Sequence, residues 1–313
     1  RSTRAASEPV GLAEVRAAMA RLSGARDLAA LLDGLLDELQ CQLGVSHSMV
    51  LMLDAARGTL YSVASRGYAE SGVGAEVRPG EGLIGAAAHA RIPVRISHAT
   101  SEFGYGRAIR EDARRHGVAA GVDAEIPFPG LPESQSQIAV PILAGERLLG
   151  VLFAESPQTA RFGYDEEDAF AALASHVGAI ASLLGEDDEP PSESARIPGA
   201  TSPGGATLSV RHYAENDSVF VGEDYLIKGV AGAILWRLLR RHADEGRSDH
   251  TNRELRLDPA IRLPDLSENL EARLILLARR LEERCPSLRI EKTGRGRFRF
   301  HVLRPVALHE IPR

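Results

Sequence analysis

The stretch that decides the fold of the C-terminal third runs from residue 269 to residue 300 and reads NLEARLILLARRLEERCPSLRIEKTGRGRFRF. Its first part spaces apolar residues three or four apart among charged ones, which predicts a long amphipathic helix over residues 269–281. Its second part alternates arginine with aromatic residues after Gly294-Arg295-Gly296, which predicts a β-hairpin with a glycine-rich tip. We expect a helix followed by a basic hairpin to dock on a partner rather than to form an active site.

The residues just before this stretch extend the same domain. Short strands are predicted at Leu208 to Tyr213, Val219 to Val221 and Tyr225 to Leu226. Apolar residues at helical spacing predict a helix from Val230 to His242, with Trp236 adding to its buried side.

Two helix-start signals follow. Thr251 and Glu254 form a capping-box pattern, in which each side chain would bond to the other residue's backbone amide. Residues 265–268 carry a second start signal, just before the long helix. Strands, three helices and a hairpin resemble the winged helix-turn-helix effector domain of OmpR/PhoB-type response regulators. The resemblance covers residues 207–303 and leaves 304–313 as a C-terminal tail.

That resemblance implies a recognition helix in the major groove of double-stranded DNA and phosphate contacts from the hairpin, the wing. Phosphates and guanine edges are bound mainly by arginine and lysine side chains. The candidate DNA-binding residues are Asn269, Arg273, Arg279, Arg280, Lys292, Arg295, Arg297 and Arg299.

The same helix carries residues that favour a different partner. Glu268, Glu271, Ile275 and Leu276 fall on the face that the resemblance would expose. Carboxylates repel phosphates, and exposed aliphatic side chains indicate a protein interface. The alternative is therefore a winged helix that contacts proteins, or one that forms a dimer through Ile275 and Leu276.

The charge distribution separates the two ends of the chain. The formal net charge of the 313 residues is −6, but residues from Leu208 onward carry about +4 and the preceding residues about −10. A mildly basic domain behind an acidic one fits an output domain that faces an anionic partner.

Composition limits the class of protein. The length is enough for about two domains, and no apolar run approaches the roughly 20 residues that span a bilayer. The start, Arg1-Ser2-Thr3-Arg4, lacks the apolar core of a secretory signal, so we expect a cytoplasmic protein. Neither Cys41 nor Cys285 belongs to a C-x-x-C pair, which argues against a disulfide framework and a structural zinc site.

The front of the chain is bounded by helices and ends in a flexible linker. Residues 186–206 combine acids, prolines, serines and glycines with almost no apolar side chains, which predicts that linker. An N-terminal helix is expected within residues 1–24. The two apolar stripes that predict the flanking helices are Leu28, Leu31, Leu32, Leu35, Leu36, Leu39 and Leu43, then Phe170, Leu173, Ala174, Val177, Ile180 and Leu184.

Strands and shorter helices are predicted between these stripes. A short helix, Glu81 to His89, and a charged helical run, Arg107 to His116, lie among them, the second within an insert from Phe103 to Gln137. A turn at Gly145 joins the last two strands, which predicts a hairpin. The predicted strands are Met49 to Leu53, Thr59 to Ser65, Val94 to Ser97, Ile138 to Leu143 and Leu148 to Ala154. The expected class is α+β.

Three motifs resemble those of a GAF domain over residues 25–185. They are Gly80-Glu81-Gly82-Leu83-Ile84-Gly85 at a helix start, Ala139-Val140-Pro141-Ile142 on a strand, and Leu149-Gly150-Val151-Leu152 on its hairpin partner. Phe162 before an acidic helix start completes the pattern. The resemblance implies an antiparallel sheet flanked by helices, a sensory role, a small-molecule ligand, and a homodimer formed through the terminal helices.

The known chemistries of GAF domains find little support in these residues. The Asn, Lys and Phe-x-x-x-Asp-Glu signature of cyclic-nucleotide binding is missing, because only two residues separate Phe162 from Asp165-Glu166 and no Asn or Lys occurs from Ile142 to Arg161. Bilin attachment needs a cysteine near the pocket, and free methionine sulfoxide reduction needs several, whereas this region has only Cys41. We therefore expect no enzyme activity.

The resemblance also implies a cavity over the sheet, roofed by the helix at 80–89 and by the insert. The candidate ligand-binding residues are Ser65, Arg66, His98, Phe103, Tyr105, Arg110 and Arg114. Each has a structural alternative: the arginines as a solvated helix face, the aromatic residues as lid packing, and His98 as a surface or capping residue. No histidine pair has ligand spacing, so no metal is expected, and the sequence does not identify a cofactor.

Together these features predict a one-component transcriptional regulator in which a GAF sensor controls a DNA-binding winged helix. The alternative is a signalling adaptor whose two domains bind proteins and not DNA.

Overall fold

The computed structural model describes residues 10–98, 126–186, 206–261, 263 and 270–312. The chain divides into two compact units, Arg1–Leu184 and Gly185–Arg313, and each is considered by itself. Three predictions lie outside the described residues: nearly all of the linker at 186–206, the helical run at 107–116 and the helix start at 265–268.

The front unit is a mixed α+β domain built on an antiparallel sheet. Its elements are α1 (Leu12–Leu22), α2 (Leu28–Leu43), β1 (His47–Asp54), β2 (Thr59–Arg66), β3 (Glu76–Val77), α3 (Gly82–Ala90), β4 (Val94–Ile96), β5 (Ser136–Ala144), β6 (Arg147–Ser156) and α4 (Tyr164–Glu186). The strands of this described sheet lie in the order β3-β2-β1-β6-β5-β4. Every strand that the sequence predicted here is present within about two residues, and β3 is an addition.

Helices cover the two faces of this sheet. The leucine stripe of α2 is buried as predicted, and α2 contacts β1 and β2. On the other face, α3 contacts β5 and β6, and its small side chains Ala87 and Ala88 belong to the same buried cluster as Ala139 of β5 and Val151 of β6. The second stripe, on α4, is buried at Phe170, Leu173, Ala174 and Val177, whereas Ile180 and Leu184 are partly exposed.

Helix α4 packs closely on the sheet at Gly178. A Cβ atom at this position would lie 2.0 Å from the carbonyl oxygen of Leu143 in β5, so only glycine permits the observed contact. The predicted hairpin turn is also confirmed, because Ala144 pairs with Arg147 and Gly145 adopts a φ of +61°.

The second unit contains two small sheets and three helices among its described residues. Its elements are β7 (Leu208–Tyr213), β8 (Ser218–Val221), β9 (Asp224–Ile227), α5 (Gly229–Glu245), β10 (Asp249–Thr251), α6 (Asn252–Arg256), α7 (Leu270–Arg284), β11 (Leu288–Gly294), β12 (Arg297–Val302) and β13 (Val306–Ile311). The sheets have the strand orders β13-β7-β8-β9 and β10-β12-β11.

The predicted C-terminal tail is an integral strand of this unit. Residues Val306–Ile311 form β13, which pairs in parallel with β7 from Val306 opposite Leu208 to Ile311 opposite Tyr213. The prediction of a tail at 304–313 was wrong for these residues, because a parallel pairing with a distant strand leaves no local signal in the sequence.

The capping prediction for α6 is confirmed in one half only. Thr251 accepts a hydrogen bond from the backbone amide of Glu254, as expected. The Glu254 carboxylate, however, accepts from Arg241 at 3.0 Å, from Arg247, and lies 2.9 Å from His250 Nδ1. Glu254 therefore joins α6 to α5 and β10, and two arginines and a histidine take up the oxygens that a capping box would use.

The apolar residues of α7 also differ from their prediction. Ile275 and Leu276 are 8% and 4% exposed, so both lie within the unit. The expected protein or dimer interface through these two residues is therefore wrong, because their side chains are already buried by the chain itself.

Candidate functional site

The face of the front sheet beneath α3 is mostly apolar. A buried cluster joins β1, β2, β5, β6 and α3, and Phe128 from the segment before β5 packs against Phe153 with ring centroids 6.3 Å apart. The buried members of this cluster are Met49, Leu51, Leu60, Ile84, Ala87, Ala88, Ala139, Val151 and Phe153.

One end of this face is polar. His47 of β1 and Gln137 of β5 both lie directly opposite Glu155 of β6 in the strand registers, so the three side chains share the α3 face. The ring of Tyr68 meets His47 edge to face, with centroids 5.4 Å apart. This row of polar side chains at the end of an apolar face is the arrangement that small-molecule sites commonly use to orient a ligand.

Glu155 is the most deeply buried charge in this row. It is 1% exposed, and its carboxylate accepts a hydrogen bond from the Leu131 amide at 2.7 Å and another from Gln137 Nε2 at 3.3 Å. The Gln137 amide nitrogen also lies 3.2 Å from Ser134 Oγ. Glu155 therefore fastens the segment at residues 126–135 to the end of the sheet.

A cavity of about 90 Å³ opens beside Glu155, and we refer to it as the β6-end cavity. Its walls come from the turn between α2 and β1, from the end of β6, and from the loop that leads to α4. The lining residues are Gly44, Val45, Ser46, Glu155, Ser156, Pro157, Gln158, Arg161 and Phe162.

The predicted ligand-binding residues do not form one group. Ser65 lies opposite Met49 on the α3 face, but its hydroxyl donates to the Ser71 carbonyl at 2.8 Å. Arg66 was wrongly predicted, because it lies on the other face and its guanidinium pairs with Asp37 at 3.0 Å and with Asp33. His98 is exposed. Phe103, Tyr105, Arg110 and Arg114 lie outside the described residues.

The sequence-based selection missed the polar row. Glu155 follows a run of apolar strand residues from Val151 to Ala154, and a charge that continues such a run in the buried register is a usable signal. His47 and Gln137 gave no comparable signal, because polar residues near strand ends are common on exposed surfaces.

In the second unit, the hairpin β11–β12 carries most of the accessible predicted DNA-binding residues. Arg295 at the tip is exposed, and Arg297 is partly exposed. Lys292 is paired with Glu271 of α7 at 2.9 Å. Arg299 is paired with Asp249 of β10 at 2.8 Å, and this contact raises the pKa of Arg299.

Two of the predicted residues on α7 are buried. Arg273 is 5% exposed and Arg280 is 4% exposed. The Nε atom of Arg280 donates to the backbone carbonyl of Leu226, and burial lowers the pKa of its guanidinium. Neither side chain is accessible to DNA, so both were wrongly predicted as contacts. Arg279 is partly exposed, and Asn269 lies outside the described residues.

A second group of charges ties α5 to α6. Asp258 accepts hydrogen bonds from Arg237 at 2.6 Å and from Arg241 at 2.7 Å. Burial by itself would raise the pKa of Asp258, but the Ala260 amide and the two guanidinium groups outweigh it, so the pKa lies below its ordinary value. The pair of arginines therefore holds this carboxylate in its charged form.

Comparison with known proteins identifies the front unit. A family model described as the GAF domain matches residues 25–181, and the mixed α+β architecture with its antiparallel sheet fits that domain. The chain belongs to the GAF family. Membership supports a sensory or signalling role. No curated protein matches the chain.

Several solved structures are similar to part of the chain. The GAF domain of an Acinetobacter phosphoenolpyruvate-protein phosphotransferase is 19% identical, with a TM-score of 0.44 over 57% of this chain and 96% of that one. A free methionine-R-sulfoxide reductase from Neisseria meningitidis, solved with its substrate, is 20% identical, with a TM-score of 0.40 over 55% of this chain and 89% of that one.

In the described residues, no helix is both long enough and apolar enough to cross a membrane.

Proposed function

We propose that the protein is a one-component transcriptional regulator, in which the GAF domain senses a small molecule and the second unit binds double-stranded DNA. The observation that carries this proposal is the order of elements in the second unit. The strands β7, β8 and β9 precede α5, the single strand β10, α6 and α7, and the hairpin β11–β12 follows, which is the order expected of a winged helix-turn-helix domain; β13 then joins the first sheet as its fourth strand. In this proposal the protein has no enzyme activity of its own.

The wing supplies the main phosphate contacts in this proposal. Arg295 extends from the tip of the hairpin, and the carbonyl of Gly296 accepts a hydrogen bond from the first amide of α6, Asn252 N, at 2.8 Å. This bond fixes the tip against the start of a helix, so the arginine is presented from a rigid support. Arg297 follows on β12 and adds a second positive charge.

The test compares two single-charge variants of the same hairpin. Arg295→Ala removes a charge at the tip, whereas Arg289→Ala removes an exposed charge near the base. DNA captured from the genome by the purified full chain supplies the duplex, and its affinity is then measured against salt. We expect Arg295→Ala to lower the slope of log affinity against log salt by about one unit, because one phosphate contact is lost.

The control variant should keep the wild-type slope. If no discrete genomic sites are enriched, or if both variants weaken binding equally, the wing does not read a specific site and the DNA proposal fails.

A signalling adaptor remains the second candidate, and the charges on α7 favour it. The more accessible positions of this helix include Glu271, Glu282 and Glu283, and carboxylates near phosphates are repulsive. If the wild-type chain binds no duplex at low salt, crosslinking to protein partners becomes the appropriate assay, with Glu282→Lys/Glu283→Lys expected to abolish the crosslink.

We also propose that the protein is a homodimer formed through the terminal helices of the GAF unit. Leu12 of α1 and Leu183 of α4 are 88% and 66% exposed, and large apolar side chains at such positions favour association. Sedimentation of Leu12→Lys/Leu183→Lys should show a monomer where the wild type shows a dimer. An unchanged mass would place the dimer interface elsewhere or exclude the dimer.

A further inference from the structure

His212 of β7 is a buried histidine that lies between two carboxylates. Its side chain is 4% exposed in the second unit. The Nε2 atom lies 3.0 Å from Asp217 Oδ1, in the turn between β7 and β8, and the Nδ1 atom lies 3.9 Å from Glu310 Oε1 of β13. Glu310 is also the residue directly opposite His212 in the parallel pairing of the two strands. The two ring nitrogens of His212 therefore face acids from two different segments.

A neutral imidazole can satisfy only one of these acids, because it has one N–H donor and one acceptor nitrogen. The contact of 3.0 Å to an ionised carboxylate requires the proton on Nε2. The Nδ1 atom then points a lone pair toward Glu310, and within the described residues it has no hydrogen-bond partner. An acceptor that faces a carboxylate is unfavourable. Only the doubly protonated ring offers a donor to both acids.

The groups packed around the ring accept a positive charge. Trp236 of α5 stacks on His212, with ring centroids 4.7 Å apart and an angle of 16° between the planes. The face of an indole ring attracts a cation. On β8, the residue opposite His212 is the apolar Val219.

The nearby charges also favour a proton on His212. The guanidinium of Arg240 on α5 lies 3.7 Å from Glu310, but it also lies 3.5 Å from Asp244, so it is shared between two acids. Together with Asp217, the carboxylates in these contacts outnumber the arginine. A second proton on His212 reduces this negative surplus.

The two acids that face His212 are held differently. Asp217 is fixed by α5, because a Cβ atom at Gly232 would lie 1.9 Å from the Asp217 carbonyl oxygen. The next turn of chain is also tied down, since the Gly229 amide donates to the Asn216 carbonyl at 3.0 Å. Glu310, in contrast, lies on an edge strand, and its side chain is 48% exposed. The contact that a proton can change is therefore the one to β13.

We propose that His212 is a proton-dependent clasp for β13. When the ring takes up a second proton from the solvent, Nδ1–H binds Glu310 and holds β13 against β7. When that proton is lost, the strand keeps its backbone pairing but loses this side-chain contact. Histidine side chains change charge between about pH 8 and about pH 5, so the edge of β7 is covered more firmly in mildly acidic solution. The clasp acts within the second unit and does not depend on DNA binding.

The test compares thermal unfolding of the full-length wild type and Glu310→Gln at about pH 6 and about pH 8. Fluorescence of Trp236, the single tryptophan, follows the second unit. We expect Glu310→Gln to lower the melting temperature by a few degrees more at the lower pH, because it removes a charged acceptor from the protonated ring. Glutamate and arginine side chains ordinarily keep their charges in this range, so the loss of the Arg240 contact should weigh equally at both pH values.

Two histidine backgrounds make the test specific. In His212→Gln, the substitution Glu310→Gln should lower the melting temperature equally at both pH values, because the titrating ring is gone. His309 is an exposed histidine beside Glu310 on β13. In His309→Gln, the additional loss at the lower pH should remain.

An equal effect of Glu310→Gln at both pH values in the wild type would overturn the proposal. The proposal also fails if the additional loss disappears in His309→Gln, because the proton would then act on the surface histidine. These two comparisons stand even if His212→Gln does not fold. DNA affinity enters none of the readouts, so failure of the clasp and failure of DNA binding are distinguishable.

Discussion

Arg280 Nε lies 3.1 Å from the backbone carbonyl oxygen of Leu226, so a buried guanidinium of α7 is fastened to strand β9. The same guanidinium has a second, longer contact to Glu283 at 3.7 Å. Charge on this helix is thus used for internal packing, although the sequence alone suggested an exposed, DNA-facing arginine. The distinction can be measured, because a structural arginine and a DNA contact have different effects when removed.

Replacing Arg280 should destabilise the second unit. Arg280→Ala removes a charge-assisted hydrogen bond and leaves a cavity, and we expect a loss of about 2–3 kcal/mol in the free energy of unfolding. Trp236, the single tryptophan, is buried in α5 and reports on this unit by its fluorescence during denaturant unfolding. The exposed Arg289→Ala should change stability by less than about 0.5 kcal/mol. Equal effects of the two variants would contradict a structural role for Arg280.

Acid should weaken the second unit through Asp258. Its pKa is lower in the folded state than the ordinary value of about 3.9, so its contribution to stability is present above that pH and disappears as the pH falls through the lower, folded-state value. Asp258→Asn should therefore lose less stability than the wild type between about pH 5 and pH 2. Urea unfolding followed by Trp236 fluorescence measures both curves, and parallel curves would show that this carboxylate does not couple stability to pH.

Gly178 should not tolerate a methyl group. Alanine normally stabilises a helix by up to about 1 kcal/mol relative to glycine. At Gly178 the added Cβ would meet the Leu143 carbonyl at 2.0 Å, so we expect Gly178→Ala to destabilise the GAF unit instead. Gly34→Ala in α2 is the matched control, because its Cβ would meet only the flexible end of Leu22, at 3.3 Å. In thermal unfolding, Gly178→Ala should lower the melting temperature, whereas Gly34→Ala should raise it or leave it unchanged.

Removal of β13 should expose the edge of β7. A variant that ends at Arg304 lacks the whole parallel pairing, including Glu310, whose carboxylate lies 3.9 Å from His212 Nδ1. An unpaired edge strand is a site for pairing with other chains, so we expect lower stability and self-association that increases with concentration. Light scattering measures the self-association, and thermal unfolding measures the stability. A truncated chain that stays at the wild-type mass and melting temperature would show that β13 is dispensable.

The sequence predicted the elements of the GAF unit well because each has a strong local pattern. The leucine stripe of α2 and the apolar runs of β1, β5 and β6 lie within about two residues of their expected limits. β3 and β13 escaped prediction for different reasons. β3 is too short, at two residues, to show a pattern, whereas β13 depends on a partner strand far away in the chain.

The candidate sites were harder to predict because they depend on which way each side chain points. Ser65 and Arg66 are neighbours, yet alternation along β2 sends them to opposite faces, and only one can face α3. Arg280 lies on a charged helix whose buried side is wider than an ordinary apolar stripe, from Ala272 to Leu277 without interruption. Arginine side chains are usually exposed, so the residue type alone predicts exposure here. The burial of Arg280 follows only from the packing of α7 against β9.

The parallel pair of β7 and β13 also bears on how the second unit folds during synthesis. Its partners, such as Leu208 and Val306, are among the most widely separated neighbours of the unit, so closing this sheet carries the largest loop-closure entropy. On the ribosome, α5 and the β7–β9 meander can form early, but the sheet stays one strand short until Ile311 has left the exit tunnel. A nascent chain therefore has an unpaired β7 edge for the whole time that the wing is being made, and this edge is open to pairing with other chains until β13 covers it.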